Sequence, residues 1–346
     1  MSQYLEPWNV SADDFPTEGY ASDQLEFLLR YAILAPSTHN TQPWLFRINV
    51  MDVELFADRR RMLRVADPAG RELTISIGAA LFNLRVAAEY FGHTYKVELL
   101  PDPNDPDLLA RFHLGLQGET RGEDILLFYA ITQRRTNRQA FFDKPVPDTL
   151  LGVLEAAARE YGVQFHVVQE ETARQAVAEL VAEGDQRQWA DKAFRIEAAH
   201  WARSKPLERG DGMPVTLMGV KNWLAFAGPF LVRTFNHGQE MAVTDRAIAL
   251  HSPVLVLLST DHDDPMAWLS AGQALQRVLL QAQSEEVSAS FLNQPIEVPD
   301  LRARLVEATA CGSYPQVLLR LGYGPEAAPA PRRSVRQTLI MHKTTR

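Results

Sequence analysis

The stretch that decides the fold is Pro36-Ser37-Thr38-His39-Asn40-Thr41-Gln42-Pro43-Trp44. It follows residues 22–35, in which apolar side chains recur every three or four positions and predict an amphipathic helix that ends before Pro36. Prolines restrict the backbone at both ends, and Trp44 supplies an aromatic anchor. Hydroxyl and amide groups held in fixed directions suit recognition of the edge of a planar heterocycle. Equally, they could satisfy the orphan carbonyls at the end of the preceding helix.

Two further segments concentrate arginine in a chain that is acidic overall. They are Arg134-Arg135-Thr136-Asn137-Arg138 and Pro331-Arg332-Arg333-Ser334-Val335. Together they place five arginines and three hydroxyl or amide side chains in ten positions. Forked guanidinium donors of this kind bind phosphate. The alternative is that the arginines are simply solvated, which is the more frequent outcome for such segments taken alone.

Composition limits the classes of function that fit. The chain has 346 residues, of which 46% are hydrophobic and 23% charged, so it can bury a sizeable core. Its net charge of −8 disfavours a protein that binds the nucleic-acid backbone. One cysteine, Cys311, excludes an intramolecular disulfide framework and a multi-thiolate zinc site. Zinc-protease, Walker, dinucleotide-glycine and nucleophile-elbow motifs do not occur, and we predict no bound metal.

Membrane and export signals are also weak. The most apolar stretch, residues 217–232, contains Lys221 and Asn222 and is shorter than the ~20 clean residues that a spanning helix needs. The first residues lack a cationic segment followed by an apolar one. We therefore expect a cytoplasmic protein with no membrane partner.

The element pattern predicts two α+β halves that meet near residue 124. Strands are predicted over 45–50, 53–56, 95–100 and 108–116, and a helix buried on more than one side over 78–92. The apolar run 253–258 predicts a strand covered on both faces. Gly78-Ala79-Ala80-Leu81 aligns with Gly272-Gln273-Ala274-Leu275, which indicates a faint internal repeat. Chance similarity between two helices rich in alanine and leucine is an equally good explanation.

Taken together, the three polar segments resemble those of the nitroreductase family of flavin enzymes. Members have an α+β fold and ordinarily dimerise to build two FMN sites at their interface. The family's Pro-Ser-x-x-Asn-x-Gln-Pro-Trp loop is matched by residues 36–44, and its Arg-Arg-Ser-x-Arg segment by residues 134–138, with Thr136 in place of serine. Arg332 and Arg333 match its C-terminal basic pair.

The order of these motifs departs from the family. A single family subunit begins with the arginine segment and reaches the loop about one helix later, whereas here the loop comes first. Each half therefore keeps what the other lacks, as in the fused, Acg-type branch. The resemblance implies a nitroreductase-like pseudo-dimer within one chain, with residues 1–124 carrying the loop and residues 125–346 the arginines. It implies one complete flavin site and one degenerate site, and it makes a monomer possible.

The resemblance also implies roles for single residues. The phosphate of FMN would be surrounded by Arg134, Thr136, Arg332 and Arg333, and Arg135 would be a further cofactor-binding residue. Arg138 would lie near the pyrimidine edge, where a guanidinium stabilises the negative charge of reduced flavin. Contacts to the ring and ribityl chain would come from Ser37, Thr38 and Asn40, with Gln42 and Trp44 structural. Asn293 and Gln294 occupy the place where members aim a backbone N–H at flavin N5. No side-chain acid or base is implied for hydride transfer.

Residues 182–245 form an insertion rich in aromatic and basic side chains, where a helical, lid-like cover over the substrate site is expected. The resemblance implies an NAD(P)H-dependent oxidoreductase that passes hydride through FMN to nitroaromatic or quinone-like acceptors. The alternative is a flavin-binding or storage protein whose lid covers FMN and prevents turnover. A weaker alternative, an anion-binding domain without flavin, leaves the loop unexplained.

Overall fold

The computed structural model of the protein describes residues 3–118, 125–205, 209–218 and 220–340. The helices are α1 Ala21–Ala32, α2 Arg71–Tyr90, α3 Ile125–Gln133, α4 Asp148–Arg159, α5 Glu171–Ala190, α6 Lys192–Trp201, α7 Gly228–Thr234, α8 Gly238–His251, α9 Pro265–Ser284, α10 Gln294–Glu297 and α11 Pro299–Thr309. The strands are β1 Trp44–Asn49, β2 Asp52–Ala57, β3 His93–Leu99, β4 Leu108–Gln117, β5 Gln164–Val167, β6 Ala202–Arg203, β7 Met213–Pro214, β8 Val254–Thr260, β9 Ser288–Phe291 and β10 Tyr314–Gly322.

Two four-stranded antiparallel sheets form the framework. Their strand orders are β1-β2-β4-β3 and β5-β8-β10-β9. In each sheet the second and third strands along the chain are joined through a 20-residue helix, α2 or α9. Every residue of β8 is buried, which confirms the prediction of a strand covered on both faces. The two halves thus share one strand order, although their common origin stays a prediction.

Helices α2 and α9 pack against each other, and the two glycines of the faint repeat meet at their crossing. A Cβ added to Gly78 would lie 2.4 Å from the Leu269 carbonyl oxygen, and one added to Gly272 would lie 2.1 Å from that of Ile75. Only glycine permits backbones this close. The repeat therefore marks the contact between the halves, whatever its origin.

Helix α2 starts about two turns before the predicted position. It begins at Arg71, after Gly70 adopts a left-handed conformation with φ of +73°. The Asp67 side chain caps it by accepting a hydrogen bond from the backbone N–H of Leu73 at 2.9 Å. The first two turns are buried but contain polar residues, so apolar periodicity could not reveal them.

The boundary predicted at residue 124 lies next to α3, a helix of the second half that packs against the first half. Residues 119–124 lie outside the described residues. Just beyond them, Phe128 and Ile131 of α3 pack into the core of the first half. At the other end of the chain, the backbone of Phe46 in β1 accepts from Ile340 at 2.7 Å and donates to Thr338 at 2.8 Å. The first half is therefore completed by two segments from the ends of the second half, α3 and residues 338–340.

The insertion has a core of its own. Trp189, Phe194, Trp201, Val215 and Val232 are among the buried side chains of a cluster that also takes in residues 63 and 66 of the first half. This cluster fixes the insertion against the segment that follows β2. No helix in the described part of the chain combines the length and apolarity that crossing a bilayer requires.

Candidate functional site

The loop of residues 36–44 is a tight, strained turn between α1 and β1. His39, Asn40 and Gln42 have positive φ angles of 51°, 55° and 49°. Such angles are unusual for residues other than glycine, and they concentrate at functional positions. The Ser37 hydroxyl holds the turn by accepting from the backbone N–H of Gln42 at 2.9 Å. Trp44 is fully buried and ties the turn to the core.

The loop binds the C-terminal segment through the side chains of Asn40 and Gln42. Asn40 Oδ1 accepts from Arg332 Nη1 at 2.9 Å, and its Nδ2 donates to the carbonyl of Pro331 at 3.0 Å. Gln42 Oε1 accepts from the backbone N–H of Arg333 at 2.9 Å. Both amides are buried. They hold the loop and the basic pair as one unit.

Three of the predicted cofactor-binding arginines lie close together, and two of them contact the indole ring of Trp8. The guanidinium of Arg135 stacks 3.9 Å from the centroid of Trp8, and that of Arg332 lies 4.8 Å from it. Arg332 also donates to the carbonyls of Leu34 and Ala35, both at 3.2 Å. The positive charge of Arg135 lowers the pKa of Arg134, and the charges of Arg134 and Arg135 together lower that of Arg332. We call Arg134, Arg135 and Arg332 the arginine cluster.

The arginine cluster carries more positive charge than the described carboxylates neutralise. Burial lowers the pKa of Arg135 to about 10, although the charge of Glu326 acts in the opposite direction. In the described ranges, no carboxylate lies within 4.0 Å of these guanidiniums, and Nε of Arg134 and of Arg332 has no hydrogen-bond partner. Burial, with a smaller contribution from Arg135, lowers the pKa of Arg134 to about 9. Burial also lowers the pKa of Arg332 far below its ordinary value, assisted by Arg134. Buried like charges without partners are costly, so this arrangement suits an anion.

Arg333 points away from the arginine cluster. Its Nη1 donates to the carbonyl of Gln42 at 3.0 Å, and Nη2 donates to that of Gln337. Burial lowers its pKa to about 10, with a further contribution from Arg61. Arg333 therefore holds the loop through these hydrogen bonds. Its contact with a phosphate stays a prediction.

Thr136 and Arg138 stand on either side of Asn137, which is tied to β9. Thr136 forms an isolated parallel bridge with Ala289, whose carbonyl accepts from the N–H of Asn137 at 2.9 Å. Arg138 is exposed to solvent, and its Nη2 lies 3.5 Å from Sδ of Met213 in the insertion. Burial among protein atoms nevertheless lowers its pKa. Exposure to water within surrounding protein is typical of a group that lines a cleft.

His39 lies beside Arg138. Burial, together with the charge of Arg138, lowers the pKa of His39 to about 4, so its imidazole is neutral at pH 7. Its Nδ1 is buried without a hydrogen-bond partner among the described residues. The loop of residues 36–44 and the arginine segment 134–138 are therefore also close to each other at His39 and Arg138.

Thr38 and Asn293, predicted from opposite halves, meet at one carboxylate. Thr38 Oγ1 donates to Glu72 Oε2 at 2.6 Å, and Asn293 Nδ2 lies 3.3 Å from Glu72 Oε1. Arg71 balances this carboxylate through a contact of 2.9 Å. Asn293 Oδ1 also accepts from the backbone N–H of Leu318 at 3.0 Å. The side chain of Asn293 is thus occupied, and its backbone carbonyl accepts from the N–H groups of Ile296 at 2.7 Å and Glu297 at 3.0 Å.

Gln294 joins two carboxyl groups of the insertion. Its Nε2 donates to Asp185 Oδ1 at 3.2 Å and to Asp245 Oδ2 at 2.8 Å. Burial, followed by repulsion from Asp245, raises the pKa of Asp185 to about 8. Burial also raises the pKa of Asp245, against the opposing effect of Arg320 and Arg138. Asp185 is therefore largely protonated at pH 7, and through Gln294 the two carboxyl groups hold α5 and α8 on α10.

The segment 209–213 of the insertion lies on the loop. The Gln42 side chain donates to the Gly210 carbonyl at 2.6 Å, and Asn40 Nδ2 donates to that of Gly212 at 3.2 Å. Asp211 accepts from Arg61 at 2.9 Å and from Arg203 at 2.7 Å. These contacts bring the insertion to the edge of the site, next to Arg138.

Sequence reasoning missed Trp8, Glu72, Asp185 and Met213. Trp8 lies in a short 3₁₀ turn far from any motif, and its Nε1 donates to the carbonyl of Ala330 at 2.7 Å. Glu72 lies six residues before the predicted start of α2 at residue 78. No signal in the sequence distinguishes either from a surface residue. Within the described part of the chain, no three His, Cys, Asp or Glu side chains are placed to hold a metal ion.

Comparisons with known proteins agree with this geometry. The model of the nitroreductase family matches residues 131–323. "Putative NAD(P)H nitroreductase Rv3131" of Mycobacterium tuberculosis H37Rv is 32% identical over 336 residues, which cover 92% of this chain and 91% of the relative. "Putative NAD(P)H nitroreductase acg" of the same strain is 28% identical over 330 residues, covering 94% and 96%.

A search of solved structures gives a more distant likeness. The FMN and NADPH-dependent nitroreductase NfnB from sphigopyxis sp. strain HMH is 19% identical, with a TM-score of 0.42, covering 62% of this chain and 98% of that one. The family match and the close relatives confirm the resemblance and the α+β nitroreductase fold. The division at residue 124, the duplication and the roles of single residues stay predictions. With the family model matching more than half of its length and a relative 32% identical along nearly all of it, the chain belongs to the nitroreductase family.

Proposed function

We propose that this protein binds one FMN per chain without a covalent bond and is an NAD(P)H-dependent oxidoreductase. The acceptors that we propose are nitroaromatic or quinone-like compounds. Relatives named as NAD(P)H nitroreductases align along nearly the whole chain, which supports a nicotinamide as the reductant. The chemistry that FMN supplies when bound is two-electron transfer between the nicotinamide and the acceptor.

The observation that carries this proposal is the positive charge of the arginine cluster, which forms no ion pair within the described residues. Two buried guanidiniums, Arg134 and Arg332, each have an Nε without a partner among the described residues, and the half-buried Arg135 lies with Arg332 on the indole ring of Trp8. A phosphate dianion would supply the missing counter-charge and accept the free donors. Solvated arginines, the alternative reading of these segments, would not be buried. The residues present therefore fit the phosphate end of FMN.

The remaining predicted residues have distinct tasks in this proposal. Asn40 positions Arg332, and Arg333 holds the loop through Gln42. Arg138, charged at pH 7, would face the pyrimidine edge and favour negative charge there. The Glu72 carboxylate, held by Arg71, fixes Thr38 and Asn293 against each other across the two halves. No side chain moves a proton in this scheme, and the protein contributes position and electrostatics.

A storage role is the second candidate, and one observation favours it. Segment 209–213 is fastened to the loop, and Met213 lies against Arg138. An insertion held there would restrict access of a nicotinamide to the cleft. The buried pair Asp185 and Asp245 holds α5 and α8, the helices on either side of this segment along the chain, on α10 through Gln294.

An anaerobic visible spectrum of the purified protein separates the two functions. The protein is reconstituted with FMN, freed of excess flavin and mixed first with NADPH and then with NADH. Bleaching of the bound flavin, followed by reoxidation with a quinone, supports the oxidoreductase. Bound flavin that stays oxidised with both nicotinamides but bleaches with dithionite supports storage. Failure to retain FMN contradicts both.

A further inference from the structure

The insertion presents an aromatic face to solvent. It is formed by the 3₁₀ helix Asn222–Ala227 and by α7. Trp223 is 72% exposed, Phe226 82% and Phe230 64%. Successive spacings of three and four residues put them on one side of consecutive helical turns. We call these three side chains the aromatic face.

The opposite side of the same segment is already buried in the insertion core. A Cβ on Gly228 would lie 2.5 Å from Cγ1 of Val215, and Val232 is fully buried. Leu224 and Leu231 pack against this cluster as well. The segment is therefore apolar on all sides, a pattern typical of a helix that is covered all round. We expect a partner on its outer side, because the exposure of several large aromatic side chains to water is unfavourable.

The charge around the aromatic face indicates which partner. Residues 213–239 contain no aspartate or glutamate, although the protein as a whole has a net charge of −8. Lys221 and Arg233 lie at the two ends of the face, and both are exposed. Aromatic side chains flanked by basic ones are typical of segments that lie in the interface of an anionic bilayer.

We propose that the aromatic face binds peripherally to anionic lipid surfaces, with the segment lying in the plane of the interface. A second copy of the chain fits less well, because self-association through this face would bring Lys221 and Arg233 of both copies together without acidic partners. The proposal revises the expectation of no membrane partner, which rested on spanning helices and export signals. The aromatic face lies within residues 217–232, which the sequence identified only as the most apolar stretch of the chain.

Vesicle sedimentation of the full-length protein tests the proposal. Vesicles of phosphatidylcholine alone are compared with vesicles that also contain phosphatidylglycerol. We expect binding to the anionic vesicles that weakens as salt is added. Phe226→Ser combined with Phe230→Ser should weaken it by at least about tenfold. Lys221→Gln and Arg233→Gln should each weaken it by about fivefold on anionic vesicles.

Matched exposed aromatics elsewhere provide the control. Phe142 is 54% exposed and Tyr314 49%. Their replacement by serine should leave vesicle binding unchanged, and melting temperatures confirm that all variants fold. The proposal is overturned if wild-type protein stays in the supernatant with anionic vesicles at low salt. It is also overturned if the Phe226 and Phe230 changes abolish a dimer seen by sedimentation velocity while no vesicle binding occurs.

Discussion

Replacing Arg134 with methionine should affect stability and cofactor binding in opposite directions. Arg134 is 3% exposed, and burial lowers the pKa of its guanidinium to about 9. It has no carboxylate within 4.0 Å and a free Nε in the described part of the chain. Its charge therefore costs stability in the absence of an anion and contributes affinity in its presence.

The magnitudes follow from the burial and from the missing partners. Replacing an uncompensated buried charge with an apolar side chain of similar length should stabilise the flavin-free protein by about 1–3 kcal/mol. A lost charge-assisted hydrogen bond to phosphate is worth about 1.5–3 kcal/mol, so affinity for FMN should fall roughly 10- to 150-fold. Affinity for riboflavin, which lacks the phosphate, should be nearly unchanged.

Two assays check this prediction. Denaturant unfolding of the flavin-free protein gives the change in stability, and quenching of flavin fluorescence gives both affinities. Arg159→Met is the matched control, because Arg159 is exposed on α4 and pairs only with Glu155 among the described residues. That change should stay within about 0.5 kcal/mol. The reasoning would be refuted if Arg134→Met destabilised the flavin-free protein, or if it weakened riboflavin and FMN equally.

Three other outcomes are expected. Gly78→Ala should destabilise the protein by more than about 3 kcal/mol, because its Cβ would meet a carbonyl of α9 at 2.4 Å. Gly152→Ala, whose Cβ would have no atom within 4 Å, should stabilise the protein by up to about 1 kcal/mol. Thermal unfolding compares the two variants, and equal effects would contradict the packing of α2 on α9. Because burial raises the pKa of Asp185 from 3.8 to about 8, unfolding free energy should fall as pH rises through that range. Asp185→Asn should remove most of this fall, which a shift of this size puts at several kcal/mol, and an unchanged pH profile would count against a protonated Asp185 at pH 7. Asn40→Ala should weaken FMN about tenfold by releasing Arg332, measured by flavin fluorescence, and unaltered affinity would show that Arg332 needs no such support.

The loop could be predicted from sequence because its residues are contiguous and its prolines fix the backbone locally. Strand β8 could be predicted for a similar reason, since a strand covered on both faces needs an unbroken apolar run. The helix α2 was predicted too short, because its first turns bury polar groups. Arg71 donates to Gln316 and Glu72, and Ser76 donates to the carbonyl of Glu72. Hydrogen bonding of this kind leaves no periodic signal.

The composition of the site depends on contacts across the whole chain. Arg332 and Arg333 are adjacent in sequence, yet only Arg332 joins the arginine cluster. Trp8 approaches that cluster from the opposite end of the chain. Tertiary packing sets the direction in which each of two neighbouring side chains points. The motif therefore predicts the arginine pair, but it does not predict which arginine joins the cluster and which holds the loop.

The number of FMN molecules bound per chain tests the central claim most directly. The flavin-free protein, at a concentration well above the dissociation constant, is titrated with FMN while flavin fluorescence is followed. One complete site, built from the loop of the first half and the arginine cluster, predicts a sharp break at one FMN per chain. A break at two, or no break at all, would contradict the account.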